Sequence, residues 1–170
     1  MKTLTTLLSI LLFTSSIFAV PFLVNSNGDT NDADTTDSLC LDSNGNCTLR
    51  AAVEQANALP SSDEITFTDQ VSLITLNSDI LIDSRTSTLS VIGRGPLLLT
   101  VDAGAGINRI FQINGNSLSF SNNPVTISGM TITGGNVPGF GGGILSRNTP
   151  LTLDFVHITG NVGASGGGVY

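Results

Sequence analysis

The sequence has almost no lysine and few basic residues of any kind. Lys2 is its only lysine, the other basic residues are five arginines, and aspartate and glutamate together number 13. The formal net charge of the 170 residues is −7. Because phosphate binding depends on clustered lysine and arginine, an acidic chain of this kind repels polyanions. We therefore expect neither nucleic acid nor anionic lipid as a partner.

Long apolar runs are missing too, apart from one at the N-terminus. Lys2 precedes an apolar run over residues 4–18 that only Ser and Thr interrupt, and Ala19 suits signal-peptidase cleavage although Ile17 is larger than ideal. The run is marginal for crossing about 30 Å of hydrocarbon. The sequence thus favours a signal peptide over residues 1–19 above an uncleaved anchor. It predicts an exported mature part, extracellular or held at a surface, with no membrane span.

Cysteine is equally scarce, since Cys40 and Cys47 are the only two. In an exported chain, two cysteines this close favour a single disulfide. Closing so small a loop would constrain the unfolded chain by about 2–3 kcal/mol. A zinc site is the alternative, but no nearby Cys or His completes a tetrahedral shell. We predict a disulfide.

The segment 20–64 has the pattern of an N-terminal cap. It holds a polar, acidic loop over residues 25–46 and then one amphipathic helix, predicted over residues 49–58. Thr48 is a suitable N-cap and Pro60 ends the helical pattern. The apolar stripe of this helix falls at i, i+3, i+4 and i+7 and consists of Leu49, Ala52, Val53 and Ala56.

Residues 65–170 are dominated by short apolar segments that alternate with Thr or Ser and are punctuated by glycine, a pattern typical of half-buried strands. With one more strand ahead of the acidic loop, the predicted strands are residues 22–24, 65–67, 74–76, 80–82, 89–92, 98–101, 110–113, 125–127, 131–133, 151–153 and 156–158.

Two pairs of these strand segments repeat each other. Val125 matches Leu151 and Ile132 matches Ile158 at an offset of 26. The glycine triplets that follow match at 25, so one residue is missing from the second connection; they are Gly141, Gly142, Gly143 and Gly166, Gly167, Gly168. A period of this length favours a solenoid of stacked parallel rungs over a sandwich of hairpins.

Residues 47–53, Cys-Thr-Leu-Arg-Ala-Ala-Val, resemble the CSLREAI domain of bacterial surface proteins, with Thr, Ala and Val in place of Ser, Glu and the final Ile. The segments 63–67, 125–129 and 132–136 are similar to the run of that family into a right-handed parallel β-helix. The glycine triplets are similar to the Gly-Gly-Ala-Ile repeats of polymorphic outer-membrane proteins. The resemblance implies an all-β, right-handed parallel β-helix with a capping helix and disulfide loop.

The resemblance also implies a role for the helix. A parallel coil exposes strand edges and its apolar interior at each end, and a helix with one apolar stripe is a suitable lid. Arg50 is then either a residue that forms salt bridges or caps carbonyl groups in that lid, or a ligand contact. We favour the structural role.

An enzyme on the same fold is the main alternative. A lyase acting on uronates needs a basic residue and carboxylates that hold Ca²⁺, but the arginines here are scattered; a hydrolase needs two carboxylates across one bond. Asp102 and Asp154 could supply these, although the spacing does not require them to meet. His157, three residues after Asp154 on a strand, is expected on the opposite face. We assign no catalytic residue.

The acidic loop raises the question of calcium. Its oxygen ligands at short spacing are of the kind that Ca²⁺ prefers, and they are Asp29, Asn31, Asp32, Asp34 and Asp37. The loop lacks the central glycine and distal glutamate of an EF-hand. A solvated loop is favoured over a calcium site, and no cofactor is required.

The leading functional class is a non-enzymatic surface or secreted protein, a stalk or adhesin-like passenger that binds an extracellular glycan or protein. The alternatives are a carbohydrate-active enzyme whose catalytic rungs follow Tyr170 or are poorly marked, and a truncated remnant. The sequence stops at Tyr170 inside a repeat, and an open last rung predicts end-to-end association.

Overall fold

The computed structural model describes residues 21–84, 87–106, 108–114 and 123–170. The segment assigned to a signal peptide and Arg85 lie outside these residues. The described part is mostly β-structure with a single helix, and every strand pair in it is parallel. The coarse expectation of an all-β chain with parallel strands and an N-terminal helix is confirmed.

After strand β1 (Pro21–Val24) and helix α1 (Leu49–Ala58), the chain makes four passes, which we number in chain order. The first contains β2 (Asp63–Phe67), β3 (Leu73–Thr75) and β4 (Ile80–Asp83). The second contains β5 (Leu89–Ile92), β6 (Thr100–Asp102) and β7 (Phe111–Asn114). The third contains β8 (Val125–Thr133), β9 (Asn136–Phe140) and β10 (Ile144–Arg147), and the fourth β11 (Leu151–Ile158) and β12 (Val162–Ser165).

Equivalent strands of successive passes lie side by side and form three sheets. The largest is a curled parallel sheet of order β1-β2-β5-β8-β6-β3, with β11 also beside β8. The other two have the orders β10-β7-β4 and β12-β9. The long β8 pairs with β5 through its first half and with β6 through its second half. Each pass therefore lies against the one before it.

The core consists mostly of aliphatic side chains that stack in register from pass to pass. Because side chains alternate along a strand, every second residue of each pass points inward and meets the equivalent residue of its neighbour. Three such columns are Ile65–Val91–Ile127–Leu153, Ile74–Val101–Ile132–Ile158 and Ile80–Phe111–Ile144–Val169. The members of the first three passes are buried, whereas those of the fourth are partly exposed.

The internal repeat in the sequence is confirmed by strand pairing. Leu151 lies beside Val125 and Ile158 beside Ile132, as the offset of 26 requires. The register then shifts within β12, between Gly163 and Ser165. Ser165 consequently pairs with Phe140, at an offset of 25. The second connection is thus one residue shorter, and the irregularity in β12 is where the pairing adjusts to this difference.

The strand boundaries differ from expectation in three ways. The segments 125–127 and 131–133 belong to one strand, β8, which bends at Gly129 with φ +62°. Leu98 and Leu99, predicted to start a strand, lie in a turn before β6. Strands β9, β10 and β12 were not predicted: β9 and β12 contain glycine, and none of the three has a regular apolar alternation.

Candidate functional site

The disulfide anchors the acidic loop to the end of β1. Cys40 and Cys47 are bonded, with their Cα atoms 5.0 Å apart. Cys47 is buried, its N–H donates to Oδ1 of Asn25, and its carbonyl accepts from the Asn25 N–H, both at 3.0 Å. The predicted disulfide is present, and it holds the loop against the first residue after β1.

Helix α1 packs its predicted apolar stripe against the first strands. It spans the predicted residues and begins at Thr48, whose hydroxyl accepts the Ala51 N–H at 3.0 Å. The stripe is fully or almost fully buried, consists of Leu49, Ala52, Val53 and Ala56, and faces β1, β2 and β4. The opposite side is covered as well, because Glu54 accepts hydrogen bonds from Asn31 and from the Asp32 N–H of the acidic loop.

Arg50 joins the acidic loop, the helix and the first pass. Its Nε and Nη2 donate to the two carboxylate oxygens of Asp29 at 2.9 and 3.0 Å. The same guanidinium donates to the carbonyls of Ser78 at 2.7 Å and Asp79 at 3.1 Å, just before β4. The Asp29 side chain is only 1% exposed. Arg50 thus makes both the salt bridge and the carbonyl contacts considered for it, and its guanidinium is occupied by the protein itself.

A second arginine extends these contacts to later passes, which the sequence did not suggest. The carboxylate of Asp79 accepts hydrogen bonds from the backbone N–H of Arg109 at 2.8 Å and from its Nη1 at 2.9 Å. Nε of Arg109 then donates to the Gly141 carbonyl at 3.3 Å. We call Arg50, Asp79 and Arg109 the arginine seam. It connects the cap with the first three passes along one side of the molecule.

The carboxylates of the acidic loop are engaged by the loop's own backbone. Asp32, Asp34 and Asp37 each accept the N–H of the residue two positions later, at 2.8 to 3.0 Å. Asp42 is buried and accepts the Asn44 and Asn46 N–H groups. In the part of the chain that is described, no group of three or more His, Cys, Asp and Glu side chains could hold a metal ion.

Hydrogen bonding lowers the pKa of two of these carboxyl groups. The Thr30 hydroxyl, together with the Asn46 N–H, lowers the pKa of Asp42 from 3.8 to about 2. The Thr36 side chain lowers the pKa of Asp34, which is exposed. Hydrogen bonds to the charged form favour that form, so both loop carboxylates remain ionised in mildly acidic solution.

The two glycine triplets lie directly on each other at a turn of the third and fourth passes. The N–H groups of Gly141, Gly142 and Gly143 donate to carbonyls of residues 165–168 at 3.0 to 3.1 Å. Gly141 and Gly166 have φ of +64° and +62°. A Cβ on Gly142 would lie 2.4 Å from the Gly167 carbonyl oxygen. The predicted repeat turns therefore require glycine because backbone contacts backbone there.

The candidate catalytic residues are not brought together. Asp102 lies beside Thr133 and Asp154 beside Ser128, at positions five residues apart on β8. The Asp102 carboxylate accepts the Gly104 N–H at 2.7 Å and so supports a turn. The expectation that Asp154 and His157 point to opposite faces is wrong. The positive φ of Phe155 interrupts the alternation, and both side chains are exposed.

No family model matches this chain, and no curated protein or solved structure matches it significantly. None of the helical segments in the described ranges has the length and apolarity that crossing a bilayer requires.

Proposed function

We propose that this chain is an exported, non-enzymatic surface or secreted protein of the CSLREAI-domain kind. Its passes would be the opening rungs of a right-handed parallel β-helix, and its outer face would bind an extracellular protein or glycan. The observation that carries the proposal is the cap. Helix α1, the disulfide loop and the arginine seam cover the start of a coil whose passes are stacked in register.

A stalk or display role is supported by how the polar residues are used. The ionised side chains of the cap and of Asp102 bind backbone groups or each other, which makes them structural. The outward positions of the large sheet carry mostly small polar side chains, as in the column Ser90–Thr126–Thr152. Such a surface suits a rigid scaffold that presents contacts along its length.

The fourth pass suggests an additional partner surface. β11 pairs on one side with β8, and its inward residues Leu153 and Val156 are less buried than Ile127 and Met130 beside them. A parallel edge that has no partner among the described strands, with apolar side chains beside it, is a template for another strand. We propose that a second molecule associates with this edge.

Export is tested by expressing residues 1–170 in a bacterial host and sequencing the N-terminus of the secreted or surface fraction. We expect a mature chain that starts at Val20; a chain that stays in the cytoplasm with Lys2 intact would contradict export.

The β-helix proposal is tested by far-UV circular dichroism and by hydrogen exchange. A predominantly helical spectrum would contradict it.

The binding role is tested by probing arrays of extracellular glycans and of surface proteins with the purified, labelled chain. Specific, saturable binding to a member of either class supports the proposal. A uronate cleavage assay with Ca²⁺ supplies the opposing test. Turnover of polygalacturonate or a related polymer would favour the enzyme instead.

A further inference from the structure

Phe155 has an unusual backbone conformation for an aromatic residue. Its φ is +51°, in the left-handed region that bulky residues rarely adopt. Because Asp154 pairs with Ser128 and Val156 with Met130, Phe155 lies beside Gly129 of the third pass. Gly129 has φ +62°, which glycine tolerates without steric cost. The fourth pass thus places a strained phenylalanine where the third pass has glycine.

Burial does not compensate for this strain. The Phe155 side chain is 71% exposed, and Leu97 and Leu98 beside it are 96% and 53% exposed. We call these three residues the apolar patch. With Arg94, Gly95 and Pro96 they line an open groove of about 330 Å³. Backbone strain at an exposed residue is more often found at functional positions than elsewhere.

The loop that carries the two leucines is held rigidly. The Gly95 N–H donates to the Gly129 carbonyl at 2.7 Å, and the Thr131 hydroxyl donates to the Pro96 carbonyl at 2.7 Å. Nη2 of Arg94 donates to a carbonyl of the first pass at 2.6 Å. A patch whose backbone is already fixed loses little conformational freedom when it binds a partner.

The surroundings of the patch indicate the chemistry of that partner. Asp69, paired with Arg94 at 3.4 Å, has a side chain that is 98% exposed, and Asp154 next to Phe155 is exposed as well. Arg94, which lines the groove, pairs with Asp69, and Asp154 adds a further carboxylate beside Phe155; with a net charge of −7 the chain as a whole attracts a basic partner. The groove walls are mostly carbon and offer few groups for the hydroxyls of a sugar.

We propose that the apolar patch binds a peptide segment of another protein, with aliphatic or aromatic side chains in the groove and lysine or arginine facing Asp69 and Asp154. Exposed aromatic and aliphatic side chains in a preformed groove are the usual anchors of such contacts. The inference rests on the binding role proposed above and gives it a site and a class of partner.

The test is selection of binders to the purified chain from a random 12-residue peptide library. We expect the selected peptides to combine large apolar residues with lysine or arginine. Phe155→Gly should weaken their binding at least tenfold while the thermal unfolding midpoint stays equal or rises, because glycine relieves the strain. Leu97→Ser should weaken binding similarly. Leu39→Ser, at an exposed leucine of the acidic loop, is the matched control and should leave binding unchanged.

Several outcomes would overturn the inference. These are the absence of selected peptides, peptides without basic residues, equal binding to Phe155→Gly, or a dimer of the chain that Phe155→Gly dissolves. The last result would identify a second copy as the occupant. If Phe155→Gly still binds an array member as the unaltered chain does, the binding role stands and only this site fails. If the unaltered chain binds no array member, the binding role fails too.

Discussion

Removal of the Arg50 side chain is expected to destabilise the cap strongly. Arg50→Ala would leave the Asp29 carboxylate, 1% exposed in the native protein, without its guanidinium partner, and would free the Ser78 and Asp79 carbonyls. Breaking a buried ion pair by removing one partner costs about 3–5 kcal/mol. That is a large part of the roughly 5–15 kcal/mol by which a domain is stable. We therefore expect a loss of about 3–5 kcal/mol in the free energy of unfolding.

The assay is urea denaturation of the Arg50→Ala, Asp29→Ala and double variants, with hydrogen exchange of the α1 amides as a local probe. The double variant should lose at least about 1 kcal/mol less than the sum of the single losses, since both act on one interaction. Asp69→Ala is the control, because an exposed ion pair such as that of Asp69 with Arg94 contributes about 1 kcal/mol or less. A loss below about 1 kcal/mol for Arg50→Ala, or strict additivity, would refute the reasoning.

Three further predictions concern the cap and the turns. Replacing Cys40 and Cys47 by serine should lower the free energy of unfolding by about 2.5 kcal/mol, as measured by urea denaturation. Under reducing conditions, the difference between this variant and the unaltered chain should vanish. The pKa of Asp42 is lowered to about 2 in the folded state, so below about pH 5 the unfolded chain binds more protons than the folded one. The free energy of unfolding should therefore fall by up to about 2 kcal/mol from pH 5 to pH 2. Asp42→Asn should flatten this pH profile. Gly142→Ala should cost about 1–3 kcal/mol because its Cβ meets backbone. Gly139→Ala, where a Cβ has open space, should be close to neutral by thermal denaturation, and an equal cost at both glycines would contradict close backbone stacking.

Local signals account for what the sequence predicted well. Helix α1 has its expected bounds because Thr48 caps it, Pro60 follows it and its apolar stripe has helical spacing. The offset between Val125 and Leu151 predicted a strand pair, because residues at equivalent places in stacked passes lie side by side. The disulfide followed from two cysteines close in sequence.

Contacts between distant segments account for what was missed. Arg50 pairs with Asp29, which lies 21 residues earlier in the acidic loop. Asp79 pairs with Arg109, which lies 30 residues later. No spacing rule connects either pair. Strand β9 contains Pro138, which normally argues against a strand. It is tolerated there because β9 pairs only with β12 among the described strands, so no other described strand needs an N–H from position 138.

The one-residue step in β12 shows that the length of a pass is fixed strictly in one part and loosely in another. The spacing from Val125 to Leu151 and from Ile132 to Ile158 is set by the core columns, whereas the irregular step of β12 between Gly163 and Ser165 accepts a different count. A foreign loop grafted at Ala164 would therefore lengthen the pass without shifting the columns. That irregular step of β12 is the natural acceptor site for engineering displayed peptides onto this scaffold.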